Sequence, residues 1–179
     1  MRCAPFKLSK NDIVIGFVGQ LDNSFDHELL GKLLSFYPDY RFVLVGPVSN
    51  DAVLNLNERY ENLSLAGYVD YENLRDYLET FTIGICPYTQ ADFNRYRNPL
   101  KVYEYFSYGL PVVCTSCDVD PSIQHLVSIT SDHNEFLTML SSEIQSNSTE
   151  KENVRIRVAD SNCWDNRSEF LISTLKERL

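Results

Sequence analysis

Short apolar segments alternate with helix-like segments along most of this chain. The apolar segments are Ile13–Gly19, Arg41–Val45, Leu63–Ala66, Thr82–Pro87 and Pro111–Cys114. Continuous apolar runs of this kind are typical of strands that are covered on both faces, as in a parallel sheet. The alternation therefore predicts an α/β fold, with a parallel β-sheet and helices on both faces.

The segments between these strands have helical periodicity. Asp26–Phe36 carries a leucine stripe, and Asp51–Tyr60 and Tyr71–Thr80 show the same pattern more weakly. After Asp118 we predict a last strand at Leu126–Thr130 and helices at Glu135–Ile144, Asn153–Ser161 and Trp164–Leu179. We expect Gln145–Glu150 to be a polar connector, and the last helix to turn Phe170, Leu171, Thr174 and Leu175 inward. The chain is thus expected to be a single domain over 1–179, with a core over 12–130 and C-terminal helices over 133–179.

The stretch Asn98–Val113, which reads NPLKVYEYFSYGLPVV, predicts a helix, a glycine stop and a buried strand. Asn98 suits the N-cap, and Pro99 suits the first helical position, where a missing N–H costs nothing. The helix is expected to run to about Tyr108 and to end at Gly109 in the left-handed conformation.

Lys101 and Glu104 are three residues apart and therefore share one face of this helix. The free N–H groups at the start of the helix, with a cationic side chain beside them, suit a phosphate group. An ionised carboxylate one turn further on suits the paired hydroxyls of a ribose. The alternative is an ordinary exposed helix with a Lys–Glu pair.

Two further features near this helix are open to two interpretations. Gly19 could let phosphates approach the backbone at the end of the first strand, or it could be a plain turn glycine. Arg95 and Arg97 could reinforce an anion site beside the N-cap, or they could be solvated loop charges. The fingerprints G-x-G-x-x-G and G-x-x-x-x-G-K-[ST] do not occur in the sequence, which argues against a dinucleotide site and a P-loop.

Composition excludes several other classes of function. The net charge of −9 argues against non-specific nucleic-acid binding. The five cysteines are irregularly spaced, and the lone Cys114-Thr-Ser-Cys117 lacks the second pair that a zinc site needs. We therefore expect free thiols, no metal site and a reducing compartment. No apolar stretch is long enough for a membrane span or a signal core, so we expect a soluble cytoplasmic protein.

Six segments resemble, in order, the C-terminal donor-binding domain of GT-B glycosyltransferases, close to glycosyltransferase family 4 and the family 1-like group. They read IGFVGQLDNSFDHELL, YRFVLVGP, NLSLAGYVDYENLRDYL, IGICPY, NPLKVYEYFSYGLPVV and NCWDNRSEFLISTLKERL. The resemblance implies a Rossmann-like half of a GT-B fold.

By motif position, the resemblance implies that Glu104 binds the ribose hydroxyls of a sugar nucleotide. It places the helix start, with Asn98, Leu100 and Lys101, at the diphosphate. The remaining donor-binding residues that it implies are Gly19, Gln20, Val69, Pro87 and Arg97. Two departures from the family pattern stand out: Tyr96 occupies the place of a second glutamate, and Gln20 occupies the place of an arginine.

A GT-B enzyme has a second, N-terminal domain that holds the acceptor site and usually the catalytic base. This chain has room for one domain, so we expect the acceptor domain to be absent and the isolated chain to bind a donor without transferring sugar. The resemblance implies a glycosyltransferase that uses a nucleotide-diphosphate sugar, without a cofactor, to modify a glycan or a lipid-linked acceptor, with at most peripheral membrane contact. The alternatives are a non-catalytic, degenerate GT-B-type interaction module and a sugar-nucleotide epimerase domain.

Overall fold

The computed structural model describes residues 8–9, 11–90, 100–115 and 117–177. Within these residues, six parallel strands form one sheet in the order β3-β2-β1-β4-β5-β6. The strands are Val14–Val18 (β1), Arg41–Val45 (β2), Leu63–Gly67 (β3), Ile83–Cys86 (β4), Val112–Cys114 (β5) and Ser128–Ile129 (β6). The predicted α/β class and parallel sheet are therefore confirmed.

Seven α-helices lie within the described residues. They are His27–Phe36 (α1), Asp51–Arg59 (α2), Tyr71–Leu78 (α3), Lys101–Ser107 (α4), His133–Gln145 (α5), Thr149–Ser161 (α6) and Trp164–Glu177 (α7). Buried side chains of α1, α2 and α5 pack on one face of the sheet. Those of α3, α4 and α6 pack on the other face. The sheet is thus covered on both sides, as its uninterrupted apolar strands require.

Two expectations for the C-terminal helices are wrong. Helix α6 begins four residues before the predicted Asn153, because the Ser148 side chain accepts a hydrogen bond from the Lys151 N–H and caps it. The predicted connector Gln145–Glu150 therefore shrinks to residues 146–148. On α7, Leu175 is 61% exposed rather than inward. The side chains of Phe170 and Leu171 lie outside the described part of the chain.

The strand order reverses between β1 and β4, and the two strands separate there. Their pairing covers Ile15 with Ile83 and Gly16 with Gly84. Beyond that point the Tyr105 hydroxyl of α4 accepts a hydrogen bond from the Val18 N–H at 2.9 Å and lies 3.5 Å from the Ile85 carbonyl oxygen. Burial raises the pKa of Tyr105 far above its ordinary value, so the hydroxyl keeps its proton. One side chain thus fixes α4 at the place where the sheet opens.

The C-terminal end of α4 is held by α6. Gly109 ends α4 with φ +70, the left-handed conformation expected from the sequence, and the Leu110 N–H donates back to the Tyr105 carbonyl. The buried Arg155 of α6 donates from Nε to the Gly109 carbonyl oxygen at 2.8 Å, and its Nη2 donates to the Asn147 side chain. Helix α4 is therefore held, through Tyr105 and at its C-terminal end, by residues far away in sequence.

We expect Tyr105→Phe to lower the free energy of unfolding by about 1–3 kcal/mol, because it leaves the Val18 N–H without its acceptor while keeping the ring. Urea denaturation followed by circular dichroism would measure the change. The matched control is Tyr68→Phe, since Tyr68 is 75% exposed and its loss should change stability by less than about 0.5 kcal/mol. Equal stability of the two variants would contradict the structural role given to the Tyr105 hydroxyl.

Candidate functional site

The ammonium group of Lys101 lies at the carboxyl ends of β1 and β4. Its Nζ is 4.2 Å from the ring centroid of Phe17 and 5.2 Å from that of Tyr88. A Cβ built on Gly19 would lie 2.5 Å from the same Nζ, and Gly19 has φ +146, a conformation that favours glycine. The sheet edge therefore carries a positive charge beside the Gly19 backbone and close to two aromatic faces.

The two rings are fixed by the loops that follow β1 and β4. Phe17 meets Phe25 edge-on, with ring centroids 4.9 Å apart. Phe25 in turn forms an isolated antiparallel bridge with Tyr88. The Tyr88 N–H donates to the buried hydroxyl of Thr115 at 2.7 Å. This aromatic and backbone contact makes a rigid floor beneath the Lys101 ammonium.

Glu104 lies one turn after Lys101 and is half-buried. Burial raises the pKa of its carboxyl group, and the positive charge of Lys101 offsets part of that rise. The carboxylate lines a cavity of about 380 Å³ between α3 and α4, together with Leu74 and Arg75. A partly buried carboxylate that lines a cavity can accept hydrogen bonds from a ligand.

A second cavity, of about 330 Å³, lies on the other side of Glu104 between α4 and the start of α7. Tyr71 lines both cavities and is 81% exposed. The guanidinium of Arg167 forms one wall, 5.1 Å from the centroid of the Tyr103 ring. Glu104 is therefore flanked on both sides by concave surface with an aromatic ring at its mouth.

The remaining predicted residues take several positions around this edge. Gln20 and Leu100 are exposed, and Val69 is half-buried against the core. Pro87 is buried, and its carbonyl oxygen accepts the Asp26 N–H at 2.8 Å. Arg97, together with Arg95, lies outside the described residues, as do the expected N-cap Asn98 and Pro99.

The sequence argument missed two aromatic residues that shape the site. Tyr105 and Phe17 resemble ordinary core residues in the sequence, and their role depends on which strands are neighbours. The only signal was the placement of Phe17 and Tyr88 at the ends of two predicted strands, because carboxyl ends of parallel strands share one edge.

A larger cavity lies on the opposite face of the sheet. It encloses about 830 Å³ between α1, α2 and α5, and Phe36, 61% exposed, forms part of its lining. Neither Lys101 nor Glu104 contributes to it. Lys101 and Glu104 remain the candidate site, because Lys101 lies at the carboxyl ends of β1 and β4, where the strand order reverses, and Glu104 lies one turn further along α4.

The described residues show no group of His, Cys, Asp or Glu side chains that could hold a metal ion. Four cysteines are free thiols in the same part of the chain: Cys86, Cys114, Cys117 and Cys163. No described helix is long and apolar enough to cross a membrane.

Comparison with known protein families assigns the chain. The profile of the family described as Glycosyl transferases group 1 matches residues 12–142, which is well over half of the chain. The chain belongs to the group 1 glycosyl transferases. The family resemblance proposed from the sequence motifs is therefore confirmed.

This glycosyl transferase domain is 32% identical over 109 residues to a protein of Bacillus subtilis (strain 168) named "Putative teichuronic acid biosynthesis glycosyltransferase TuaH". The match covers 60% of this chain and 28% of TuaH. The matched region thus covers well under two thirds of the length of this curated relative.

Solved GT-B structures share the fold. Sucrose-phosphate synthase from Thermosynechococcus elongatus superposes with a TM-score of 0.72 at 18% identity, over 96% of this chain and 47% of that one. WaaG, a glycosyltransferase involved in lipopolysaccharide biosynthesis, gives 0.70 at 13% identity, over 86% and 44%. A structure described as "Trehalose-6-phosphate from E. coli bound with UDP-2-fluoro glucose" gives 0.68 at 18% identity, over 93% and 44%. In each comparison, this glycosyl transferase domain shares the Rossmann-like architecture of a region that makes up slightly less than half of the solved chain.

We expect Glu104→Gln to raise the melting temperature at pH 7. Because the pKa of Glu104 is raised, the folded state binds its proton more tightly than the unfolded state does. The free energy of unfolding of the wild type therefore falls as the pH rises from the ordinary carboxyl pKa, about 4.3, through the raised pKa of the folded state. Glutamine has no such titration. The gain should therefore be present at pH 7 and disappear at pH 4 in thermal unfolding followed by calorimetry.

The control for this pH effect is Glu58→Gln on the exposed side of α2. That change removes the same charge from solvent and should not reproduce the difference between pH 7 and pH 4. A Glu104→Gln variant that is less stable than wild type at pH 7 would show that the carboxylate is satisfied within the protein.

Proposed function

We propose that this chain is the donor-binding half of a glycosyltransferase that moves a sugar from a nucleotide-diphosphate sugar to a glycan or a lipid-linked acceptor. The observation that carries the proposal is the pairing of Lys101 and Glu104 at the reversal point of the sheet. Membership of the family and the GT-B fold support it independently.

The proposed role of Lys101 is to hold the diphosphate. Its ammonium sits over the rings of Phe17 and Tyr88, which attract a cation without neutralising it. We propose that this positive charge, which lies beside Gly19, attracts the anionic diphosphate of a donor. As the bond between sugar and diphosphate breaks, negative charge grows on the leaving oxygen, and a fixed cation stabilises that state more than the ground state.

The proposed role of Glu104 is to bind the ribose. Its two carboxylate oxygens can accept hydrogen bonds from two neighbouring hydroxyls. Because burial already disfavours the ionised form, hydrogen bonds from a ligand would recover interactions that the carboxylate lost with water. Glu104 would then strengthen binding of the nucleoside while lowering the stability of the free protein.

The other donor contacts are proposed from the family motif. Gly19 and Gln20 would face the phosphates, Val69 and Pro87 would lie near the base, and Arg97, Asn98 and Leu100 would border the helix start. The buried position of Pro87 fits a backbone contribution better than a side-chain one.

The relatives support the substrate class. The E. coli structure described above holds UDP-2-fluoro glucose, which supports a nucleotide-diphosphate sugar as donor. The name of TuaH refers to teichuronic acid biosynthesis, which supports a glycan acceptor. The free thiols support a reducing, cytoplasmic location. We propose no cofactor.

We also propose that a second, acceptor-binding domain completes the enzyme. This chain spans 44% to 47% of the GT-B chains compared above, which is consistent with one of two domains. The isolated chain should then bind a donor nucleotide but transfer sugar poorly or not at all.

Isothermal titration calorimetry with UDP, GDP, dTDP and the matching nucleosides tests the proposal. We expect Glu104→Ala to weaken binding of UDP, GDP and their nucleosides alike, by about 1.5–3 kcal/mol, because all of these ligands carry both ribose hydroxyls. Lys101→Met keeps the aliphatic stem and removes the charge. It should weaken binding of the diphosphate by a similar amount and leave the nucleoside unaffected.

The control for net charge is Lys32→Met, at an exposed position of α1. Its affinity for all ligands should equal that of the wild type. Failure of the wild-type chain to bind any of the three diphosphates at millimolar concentration would overturn the proposed function.

A further inference from the structure

A hydrogen-bonded acid–histidine pair lies at the same edge of the sheet as Lys101. His133, the first residue of α5, places Nε2 2.8 Å from Oδ2 of Asp26. Both side chains are largely buried, at 20% and 10% exposure respectively. The two residues are 107 positions apart, so the pair joins the start of α5 to the start of α1.

Two other hydrogen bonds of Asp26 each fix a different element. Its Oδ1 accepts the Leu29 N–H at 2.9 Å and caps α1. Its own N–H donates to the Pro87 carbonyl at the end of β4 at 2.8 Å. With His133 on Oδ2, this one residue connects α1, β4 and α5, and both of its carboxylate oxygens are used.

The neighbours of Asp26 lead directly to the floor of the Lys101 site. Phe25 packs against Phe17, and the Lys101 ammonium lies over the ring of Phe17. Phe25 also bridges to Tyr88, the second ring under that ammonium. Beside this bridge the Thr89 N–H donates to the Ser24 carbonyl at 2.9 Å. Movement of residues 24–26 would therefore shift both rings that hold the Lys101 charge.

We propose that His133 is a positioning residue for the donor site: it holds Asp26, and through Asp26 it sets the two aromatic faces on which Lys101 rests. The inference rests on the proposed function for its effect on ligand binding. Without the imidazole, Oδ2 of a largely buried carboxylate would lose its donor and turn toward water. Because Oδ1 and the backbone of Asp26 belong to the same residue, that rotation would loosen the contacts to α1 and β4 together.

The key variants are His133→Phe and His133→Gln. Phenylalanine keeps a flat ring but has no donor for Asp26, whereas the glutamine amide can reach the position of Nε2 and donate. We expect His133→Phe to raise the dissociation constant of the tightest-binding nucleoside diphosphate about tenfold. His133→Gln should stay within about threefold of wild type, and such rescue would not follow from a role in packing alone.

A matched control removes a different link between α1 and α5. The hydroxyl of Tyr37, just after the end of α1, donates to the carbonyl of Leu137 in the first half of α5 at 2.7 Å. Tyr37→Phe should lower thermal stability as His133→Phe does, yet leave the dissociation constant unchanged. Equal loss of affinity in these two variants would overturn the inference, because general packing of α1 on α5 would then explain it.

Amide hydrogen exchange measured by NMR tests the positioning without any ligand. The Asp26 and Thr89 amides should exchange at least tenfold faster in His133→Phe, and at the wild-type rate in His133→Gln. The Gly46 amide, which donates to the Gly67 carbonyl at 2.8 Å, reports on the sheet and should be unchanged in both.

Wild-type exchange and wild-type affinity in His133→Phe would overturn the inference. If the wild-type chain binds no nucleotide, the proposed function fails and the exchange rates alone decide whether His133 holds Asp26. If His133→Phe does not unfold cooperatively, His133→Ser replaces it, since serine suits the first turn of a helix and cannot reach Asp26. The same outcomes then apply.

Discussion

The site depends on one hydroxyl group at the place where β1 and β4 part. A parallel sheet that reverses its strand order must leave unpaired backbone groups at the reversal, and these groups are costly when buried. Tyr105 meets this need with the Val18 N–H and in doing so anchors α4 above the opening. Tyr105 therefore helps to position Lys101 and Glu104, which lie on the same helix. The ring leaves little space around it: a Cβ on Gly84 would lie 2.4 Å from the Tyr105 ring.

The charges at this edge are arranged for a ligand more than for the stability of the free protein. Glu104 is partly desolvated, with only the field of Lys101 to offset the cost, and the Lys101 ammonium rests on rings at 4.2 and 5.2 Å. A partly buried charge of this kind keeps its position because the surrounding structure is stable enough to hold it there. Binding of a ligand with complementary groups would stabilise the folded protein. The rigid floor of Phe17, Phe25 and Tyr88 supplies that support.

The sequence predicted those features that depend on local pattern. The strands, the leucine stripe of α1, the glycine end of α4 and the grouping of Lys101 with Glu104 all follow from periodicity and capping chemistry. The predicted start of α6 was wrong because the Ser148 cap allows the helix to begin within a polar segment that favours a connector. The predicted burial of Leu175 was wrong because an apolar residue can remain exposed on a terminal helix. The pairing of Asp26 with His133 and the role of Tyr105 could not be predicted, since both depend on which distant elements are neighbours.

The contact between Arg155 and Gly109 bears on the order in which the polypeptide leaves the ribosome. The family profile ends at residue 142, and the last strand of the sheet ends at Ile129. The carbonyl at the end of α4 nevertheless receives its partner only when residue 155 has emerged. A nascent chain that already contains all six described strands thus still lacks the partner of the Gly109 carbonyl at the C-terminal end of α4. A fragment cut at the boundary of the family profile would lack that partner permanently.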